Sequence, residues 1–332
     1  MANASDRVVV VGASAGGVRA LPVLVAQLGP DFPAPVLVVL HVGSHRSILP
    51  ELLERAGGLP AAHALDGESL EPGRIFVAPP DHHMLVADGV TRVVRGPKEH
   101  HARPAVDPLF RTAALAWGRR VIGVLLTGFL DDGTAGLQAI KRCGGIAVVQ
   151  DPADAESPSM PASALRYVDV DHVVPLAAMG AVLRALVSEA APAVEEGAIP
   201  ELAHETAILL GKGDFMEHLE AIGKPSTFVC PDCDGALWEI NDSQPPRFRC
   251  HTGHAYTLRS LQHAQSETTD EALWSGLRAL QEKQILLATL AATHGAERGG
   301  DEASRLRDEA REIARHAETL RRLIDGMPAP LE

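Results

Sequence analysis

Arg7-Val8-Val9-Val10-Val11-Gly12-Ala13-Ser14-Ala15-Gly16-Gly17-Val18 is the stretch on which the fold turns. Its first half is a continuous β-branched run, and a strand that is apolar at every position is one buried on both faces. Small residues follow at once, and then Val18, Leu21, Leu24 and Val25 open a helix. Strand, tight turn and helix are the first half of a βαβ unit. Similar apolar runs recur at residues 35–40, 74–78, 121–126, 145–149 and 171–174, with helix-length segments among them. The sequence therefore predicts an α/β fold, a doubly wound and mostly parallel sheet over residues 7 to about 187. Residues 84–87 and 91–94, joined by Asp88-Gly89-Val90, predict a hairpin that adds an antiparallel edge.

Composition limits the function. With 332 residues and 46% hydrophobic residues the chain is globular and long enough for two domains at roughly 100–200 residues each. Asp and Glu number 43 against 30 Lys and Arg, a formal net charge of -13, which argues against a nucleic-acid partner, since phosphate-backbone binding wants a basic face. No apolar run approaches the ~18–20 residues of a membrane span, and the first residues lack the basic-then-apolar order of a secretory signal. The expectation is a cytoplasmic protein with no membrane insertion.

The turn Gly12-Ala13-Ser14-Ala15-Gly16-Gly17 admits three readings. As a dinucleotide cradle it has Ser14 where the second glycine belongs. As a nucleophile turn it satisfies G-x-S-x-G, with small neighbours that permit a sharp bend and a helix N-terminus whose free N–H groups face an oxyanion. It also reads as a structural strand-to-helix turn. A serine nucleophile needs a base, and His41 ends the second apolar run, where strand ends of an open α/β sheet converge on one crevice. By itself a histidine at a strand end is more often a solvated edge residue, until its companions are considered. Asp131 and Asp132 lie after the fourth run; either can orient an imidazole, or simply cap the helix that follows. His100, His101 and Arg103 are candidates for lining the crevice rather than for catalysis.

These segments, in this order, resemble the catalytic domain of the chemotaxis-receptor protein-glutamate methylesterases, the CheB-like family. The resemblance rests on the turn at 12–17, Leu40-His41, Val77-Ala78-Pro79-Pro80-Asp81 with His83-Met84, Arg103-Pro104-Ala105-Val106-Asp107-Pro108-Leu109-Phe110, Leu126-Thr127-Gly128-Phe129-Leu130-Asp131-Asp132-Gly133, and Met160-Pro161. It implies a serine hydrolase in which Ser14 is the nucleophile, His41 the general base and Asp132 the orienting acid, with backbone N–H groups near Ala15 and Phe129 as oxyanion donors. The implied reaction is hydrolysis of glutamate γ-methyl esters on a methylated chemoreceptor-like protein, with glutamine deamidation as a second activity and no catalytic cofactor. The sequence departs from the family at Phe129-Leu130, where Met-Gly is common, and at Ala15, where Thr is frequent. The first strand starts near residue 7, so no phospho-accepting receiver domain fits before it. The alternative is a signalling scaffold that retains the esterase fold and works through its C-terminal module.

That module begins with a metal motif. Cys230-Pro231-Asp232-Cys233 and Cys250-His251-Thr252-Gly253-His254 form two knuckles around two short strand-like runs, a zinc-ribbon-like pattern. Three cysteines and one histidine supply four ligands, Cys230, Cys233, Cys250 and His254, with His251 as the competing fourth; a closed set implies structural zinc. A redox pair is the other reading of C-x-x-C. Beyond it, Leu273, Leu277, Leu280, Gln284 and Leu287, then Leu306, Ala310, Ile313, Ala317, Leu320 and Ile324, repeat at helical spacing on either side of Gly295, Gly299 and Gly300. This predicts an antiparallel helical hairpin, either internal packing or the docking face for a protein partner. The expected domains are 1–190 catalytic, 191–225 linker and connector helix, 226–265 zinc-ribbon-like and 266–326 hairpin.

Overall fold

The structure, a computed structural model, describes residues 5–43, 45–191, 199–297 and 301–327. β1 (Val8–Ala13) leads into α1 (Gly17–Leu28), and β2 (Val36–Leu40) into α2 (Leu49–Gly57). Two short strands, β3 (Ala61–His63) and β4 (Ile75–Val77), precede the hairpin β5 (His83–Ala87) and β6 (Val90–Val94), and then α3 (Val106–Trp117). β7 (Val121–Leu125), α4 (Thr134–Arg142), β8 (Ile146–Gln150), α5 (Ser159–Tyr167), β9 (His172–Val174) and α6 (Leu176–Ser188) complete the α/β layer. Seven strands pair in the order β3-β4-β2-β1-β7-β8-β9, every neighbour parallel.

The continuous valine run of β1 has the expected cause. Val9 and Val11 enter one core with Leu21, Leu24, Leu53 and Leu183, from α1, α2 and α6. Val8 and Val10 enter the opposite core with Leu109, Phe110, Leu137, Ile140 and Ala164, from α3, α4 and α5. Helices therefore cover both faces, and the strand order reverses between β1 and β7. Their carboxyl ends flank the crevice where ligands bind in such sheets.

The hairpin differs from expectation: β5 and β6 form a two-stranded sheet of their own. Asp88 and Gly89, with φ of 53° and 77°, make a two-residue turn whose positive φ values suit the strand twist. Met84 and Val86 enter the core shared with α3, and the Val86 amide donates to Thr112 Oγ1 on that helix at 3.1 Å, so the hairpin seats on a helix rather than on a sheet edge. The edge belongs instead to β3, a three-residue strand too short and too half-buried to show a pattern.

Of the expected linker, residues 192–198 lie outside the described residues. The connector is two helices, α7 (Pro200–Leu210) and α8 (Phe215–Ile222), not one. Gly211 ends α7 in the left-handed region, and the Asp214 carboxylate caps α8 by accepting from the Met216 and Glu217 amides. A four-stranded antiparallel sheet follows, β10 (Gly223–Val229), β11 (Ala236–Ile240), β12 (Arg247–Cys250) and β13 (Ala255–Thr257). It leads into α9 (Leu258–Glu297), and α10 (Asp301–Asp325) ends the described chain. The predicted seam residues meet: Leu277, Ala317 and Ile324 pack with Leu273, Leu280 and Leu320, and Leu287 packs with Ala310 and Ile313. Gly295 lies inside α9, while Gly299 and Gly300 are outside the described residues. Among the described residues no helix is long and apolar enough to cross a membrane.

The chain divides after Leu261 into two compact units, so the ribbon belongs with the parallel sheet. Within the first unit, a ring of buried charge joins the ribbon to the α/β layer. Glu99 accepts from Arg111 at 2.8 Å and Arg249 at 2.9 Å, while Glu205 pairs with Arg111 at 3.2 Å and Arg249 at 3.1 Å. All four side chains are at most 2% exposed, and Arg247 adds a bidentate contact to Glu205. At the knuckle, Gly253 holds φ at 99°, and a Cβ there would stand 2.6 Å from Pro97 Cγ, so the ribbon approaches the α/β layer closely at a residue without a side chain.

Burial by itself would raise the Glu99 carboxyl, but Arg111 and Arg249 overrule it and hold the group at about 2. A carboxylate lowered in the folded state stabilises above its unfolded value, about 4.3, and that contribution fades as pH falls toward the folded value. Denaturant melts should therefore lose stability as pH drops from about 4.5 to about 2. At neutral pH, Glu205→Ala leaves buried guanidinium groups unpaired and should lower stability by about 3–5 kcal/mol. An unchanged midpoint in that variant would show that the ring does not lock the ribbon.

Candidate active site

Ser14 follows β1 on the turn that opens α1. Its amide donates to Thr127 O at 3.0 Å and its carbonyl accepts from Gly17 N at 2.8 Å, which fixes the bend between β1 and β7. Gly16 caps the helix at φ 79°, where a side chain would be strained and would press on Thr127 and Glu156. His41 leaves the end of β2, its amide donating to Ala13 O at 3.3 Å. These two backbone links bring the strand ends together. Nδ1 of His41 lies 3.0 Å from Ser14 Oγ, and Nε2 lies 2.7 Å from Asp132 Oδ2.

Asp132 does not cap the helix that follows it; Gly133 holds that position. It caps α3 instead. Oδ2 accepts from the Val106 amide at 2.7 Å, and Oδ1 from the Asp107 amide at 2.9 Å and the Gly133 amide at 2.8 Å. The carboxylate thus sits on the positive end of a helix dipole. Burial disfavours its charge, yet the nearby His100 and then the His41 hydrogen bond outweigh that and hold Asp132 well below the usual carboxylate range. An acceptor-only carboxylate at Nε2 calls for a proton there, and in that tautomer Nδ1 is the acceptor facing the Ser14 hydroxyl.

Asp131, the neighbouring candidate, turns away: its Oδ1 accepts from Thr257 Oγ1 at 2.7 Å. Ala15 and Phe129 flank Ser14 on the turns after β1 and β7, and their amides make no hydrogen bond within the described residues. The Phe129 ring is 47% exposed. Of the crevice candidates, Arg103 pairs with Asp81 at 2.6 Å and His101 with Asp232 at 3.1 Å, neither on the serine. His100 is buried behind Asp132, a placement that no local pattern signals. The Val106 and Asp107 amides were likewise invisible in sequence, because backbone donors carry no residue signature.

In the ribbon, Cys230, Cys233, Cys250 and His254 converge with all ligand atoms within 4.8 Å of one another, a group able to hold a metal ion. Cys233 and Cys250 sulfurs are 3.7 Å apart, and His254 Nδ1 is 3.5 Å from Cys250 and 3.7 Å from Cys230. His251, the competing ligand, is exposed and lies against Gly235 instead.

Residues 9–183 match the CheB methylesterase family. A protein-glutamate methylesterase/protein-glutamine glutaminase of Anaeromyxobacter dehalogenans is 41% identical over 180 residues, which are 54% of this chain and 53% of that protein. A putative enzyme of the same name from Leptospira interrogans is 37% identical over 51% of this chain and 88% of its own length. The chain thus spans about half the length of the first of these relatives. The crystal structure of the Thermotoga maritima CheB methylesterase catalytic domain superposes with a TM-score of 0.52 at 32% identity, covering 54% of this chain and 98% of that domain. By sequence and by fold, the chain belongs to the CheB methylesterase family.

Proposed function

We propose that the chain is a protein-glutamate methylesterase that hydrolyses γ-methyl glutamate esters on a methylated chemoreceptor-like protein, with Ser14 as nucleophile. The observation that carries this reading is the hydrogen-bonded line from Ser14 through His41 to Asp132 at the carboxyl ends of the parallel strands. Nδ1 of His41 takes the serine proton as Oγ attacks the ester carbonyl, and Asp132 stabilises the resulting imidazolium. The amides of Ala15 and Phe129 receive the oxyanion. Methanol leaves with the proton from His41, and a water activated by the same nitrogen releases the glutamate carboxylate. A glutamine side chain passes through the same tetrahedral centre and loses ammonia, so deamidation needs no further group.

The ribbon cluster, on this reading, holds structural zinc. Tetrahedral zinc at about 2.3 Å from sulfur and about 2.0–2.1 Å from nitrogen spaces its ligand atoms roughly 3.5–3.8 Å apart. The Cys230–His254, Cys233–Cys250 and Cys250–His254 spacings, 3.7, 3.7 and 3.5 Å, fit that range. Four protein ligands leave no position for a substrate, so the metal closes the two knuckles and takes no part in the ester chemistry.

Methanol release from a methylated receptor cytoplasmic fragment tests the esterase. Ser14→Ala should lower it by at least about 10³-fold and Asp132→Asn by on the order of 10³–10⁴-fold, with both proteins folded. Release that survives Ser14→Ala overturns the assignment of the nucleophile. For the metal, elemental analysis should find one zinc per chain, and Cys233→Ser should lose it and unfold the ribbon at lower temperature. A metal-free wild type with the same melting curve would exclude the zinc reading.

A further inference from the structure

Among the described residues, His100 is the histidine of the α/β layer that carboxylates surround yet that is absent from the serine line. Its Nε2 lies 2.9 Å from Asp107 Oδ2 and 3.6 Å from Asp132 Oδ1; its Nδ1 lies 3.2 Å from Ser260 Oγ and 4.0 Å from Asp131 Oδ1. The remaining oxygens are already served: Asp107 Oδ1 accepts from Gly136 N, and both Asp132 oxygens accept from backbone amides. What holds His100 comes from the ribbon. Its amide donates to Ala255 O at 2.7 Å, and the Ala255 amide donates to Lys98 O at 3.2 Å. Ser260 Oγ also accepts from Thr257 N, while Thr257 Oγ1 donates to Asp131. His100 and His101 both keep positive φ, 54° and 60°, a backbone that persists for side-chain-bearing residues only where surroundings enforce it.

We propose that His100 is a positioning residue of the esterase site, fixing Asp132 from behind, and that the ribbon sets His100 through Ala255, Thr257 and Ser260. The inference rests on the esterase reading and deepens it: the ribbon becomes part of the device that orients the triad. Nε2 faces carboxylates only, so it carries a proton. Nδ1 donates to Ser260 Oγ, whose own hydrogen goes to Thr257 O at 3.3 Å. The ring is therefore an imidazolium, and the surrounding charges agree. Burial opposes its charge, but Asp132 and Asp107, with a further contribution from Asp131, raise the group to about 10. The other charged neighbours act on those carboxylates: Arg111 on Asp107, Arg259 on Asp131, and His41 on Asp132. His83, the second buried histidine of this region, donates from Nε2 to Pro97 O and accepts at Nδ1 from Ala105 N; burial lowers it and it stays neutral. Ala255 directly follows His254 of the cysteine cluster in the chain, so a disturbance of the knuckle reaches Asp132 through a short covalent and hydrogen-bonded path.

The test uses the full chain. In His100→Gln, which keeps a donor and removes the charge, kcat for methanol release from the methylated receptor fragment should fall on the order of 10²-fold with KM held. The acid limb of kcat/KM should move to higher pH, because a positive charge beside the serine line has gone. The paired variant Thr257→Val, Ser260→Ala should move both in the same direction. A folded His100→Gln enzyme with wild-type kcat and pH profile overturns the proposal. A second arm needs no substrate. With isotope-labelled histidine, the His100 ring, assigned by its loss in His100→Gln, should be doubly protonated at about pH 8, above the usual histidine range. The downfield proton shared by His41 and Asp132 should shift or vanish in both variants. A singly protonated His100 ring, or a His41 proton indifferent to both variants, also overturns the proposal. Failure of wild type to release methanol refutes the esterase reading, while these spectra still decide whether His100 positions Asp132.

Discussion

The seating of the Asp132 carboxylate on the N-terminus of α3 is the contact on which the rest of the site depends. An ionised carboxylate taken out of water costs several kcal/mol unless each lone pair finds a donor. Here three amides and the His41 imidazole donate to it, and the His100 ring stands 3.6 Å away as a neighbouring charge. The amides belong to α3 and to the turn before α4, so the carboxylate ties two helices on one face of the sheet to the strand ends above it. His41 is then oriented by a rigid anchor, and Ser14 by the bond of its amide to Thr127 on the turn after β7. The serine line is held by main-chain geometry at both ends, which explains how a site made of turn residues keeps hydrogen-bonding distances.

Charge is unusually concentrated where the α/β layer meets the ribbon. On one side lies the ring of Glu99, Glu205, Arg111 and Arg249; on the other, His100 among Asp107, Asp131 and Asp132. Arg111 and Asp107 stand one helical turn apart on α3, which connects the two groups electrostatically. Buried ion pairs contribute little net stability compared with apolar packing, but losing one partner is costly. Such a junction discriminates strongly between the docked ribbon and any displaced arrangement, because displacement strands several charges at once.

The α/β layer was legible in sequence because its signal is local. The β1 run is apolar at every position, and only a strand covered on both faces tolerates that. The turn at Gly12 to Gly17 and the ends of β2 and β7 were legible for the same reason, and the order of those segments distinguished Asp132 from Asp131 by resemblance, where composition left them equal. The seam of the hairpin was legible from spacing alone. What escaped notice was set by long-range contact. The β5–β6 hairpin left the sheet because Val86 found Thr112 on α3. The connector split because Gly211 and the Asp214 cap interrupt it, a local signal that was there to be read. His100 acquires its surroundings from Asp107, Asp132 and Ser260, and the last of these is 160 positions away.

The ribbon itself explains why it carries so much of this machinery. Ile208, Ile222 and Ile240 pack together with Phe215 beside them, and Leu237, Phe248 and Tyr256 are buried on the strands. Two other kinds of constraint are present, the convergent Cys230, Cys233, Cys250 and His254 at one end and the buried ring through Arg247 and Arg249 at the other. β12 and β13 run between them, and β13 is the strand whose Ala255 carbonyl receives the His100 amide. A strand pinned at both ends is a stiff support, and stiffness is what an imidazole behind the Asp132 carboxylate requires: a shift of a few tenths of an ångström there changes the hydrogen bond that Asp132 makes with His41.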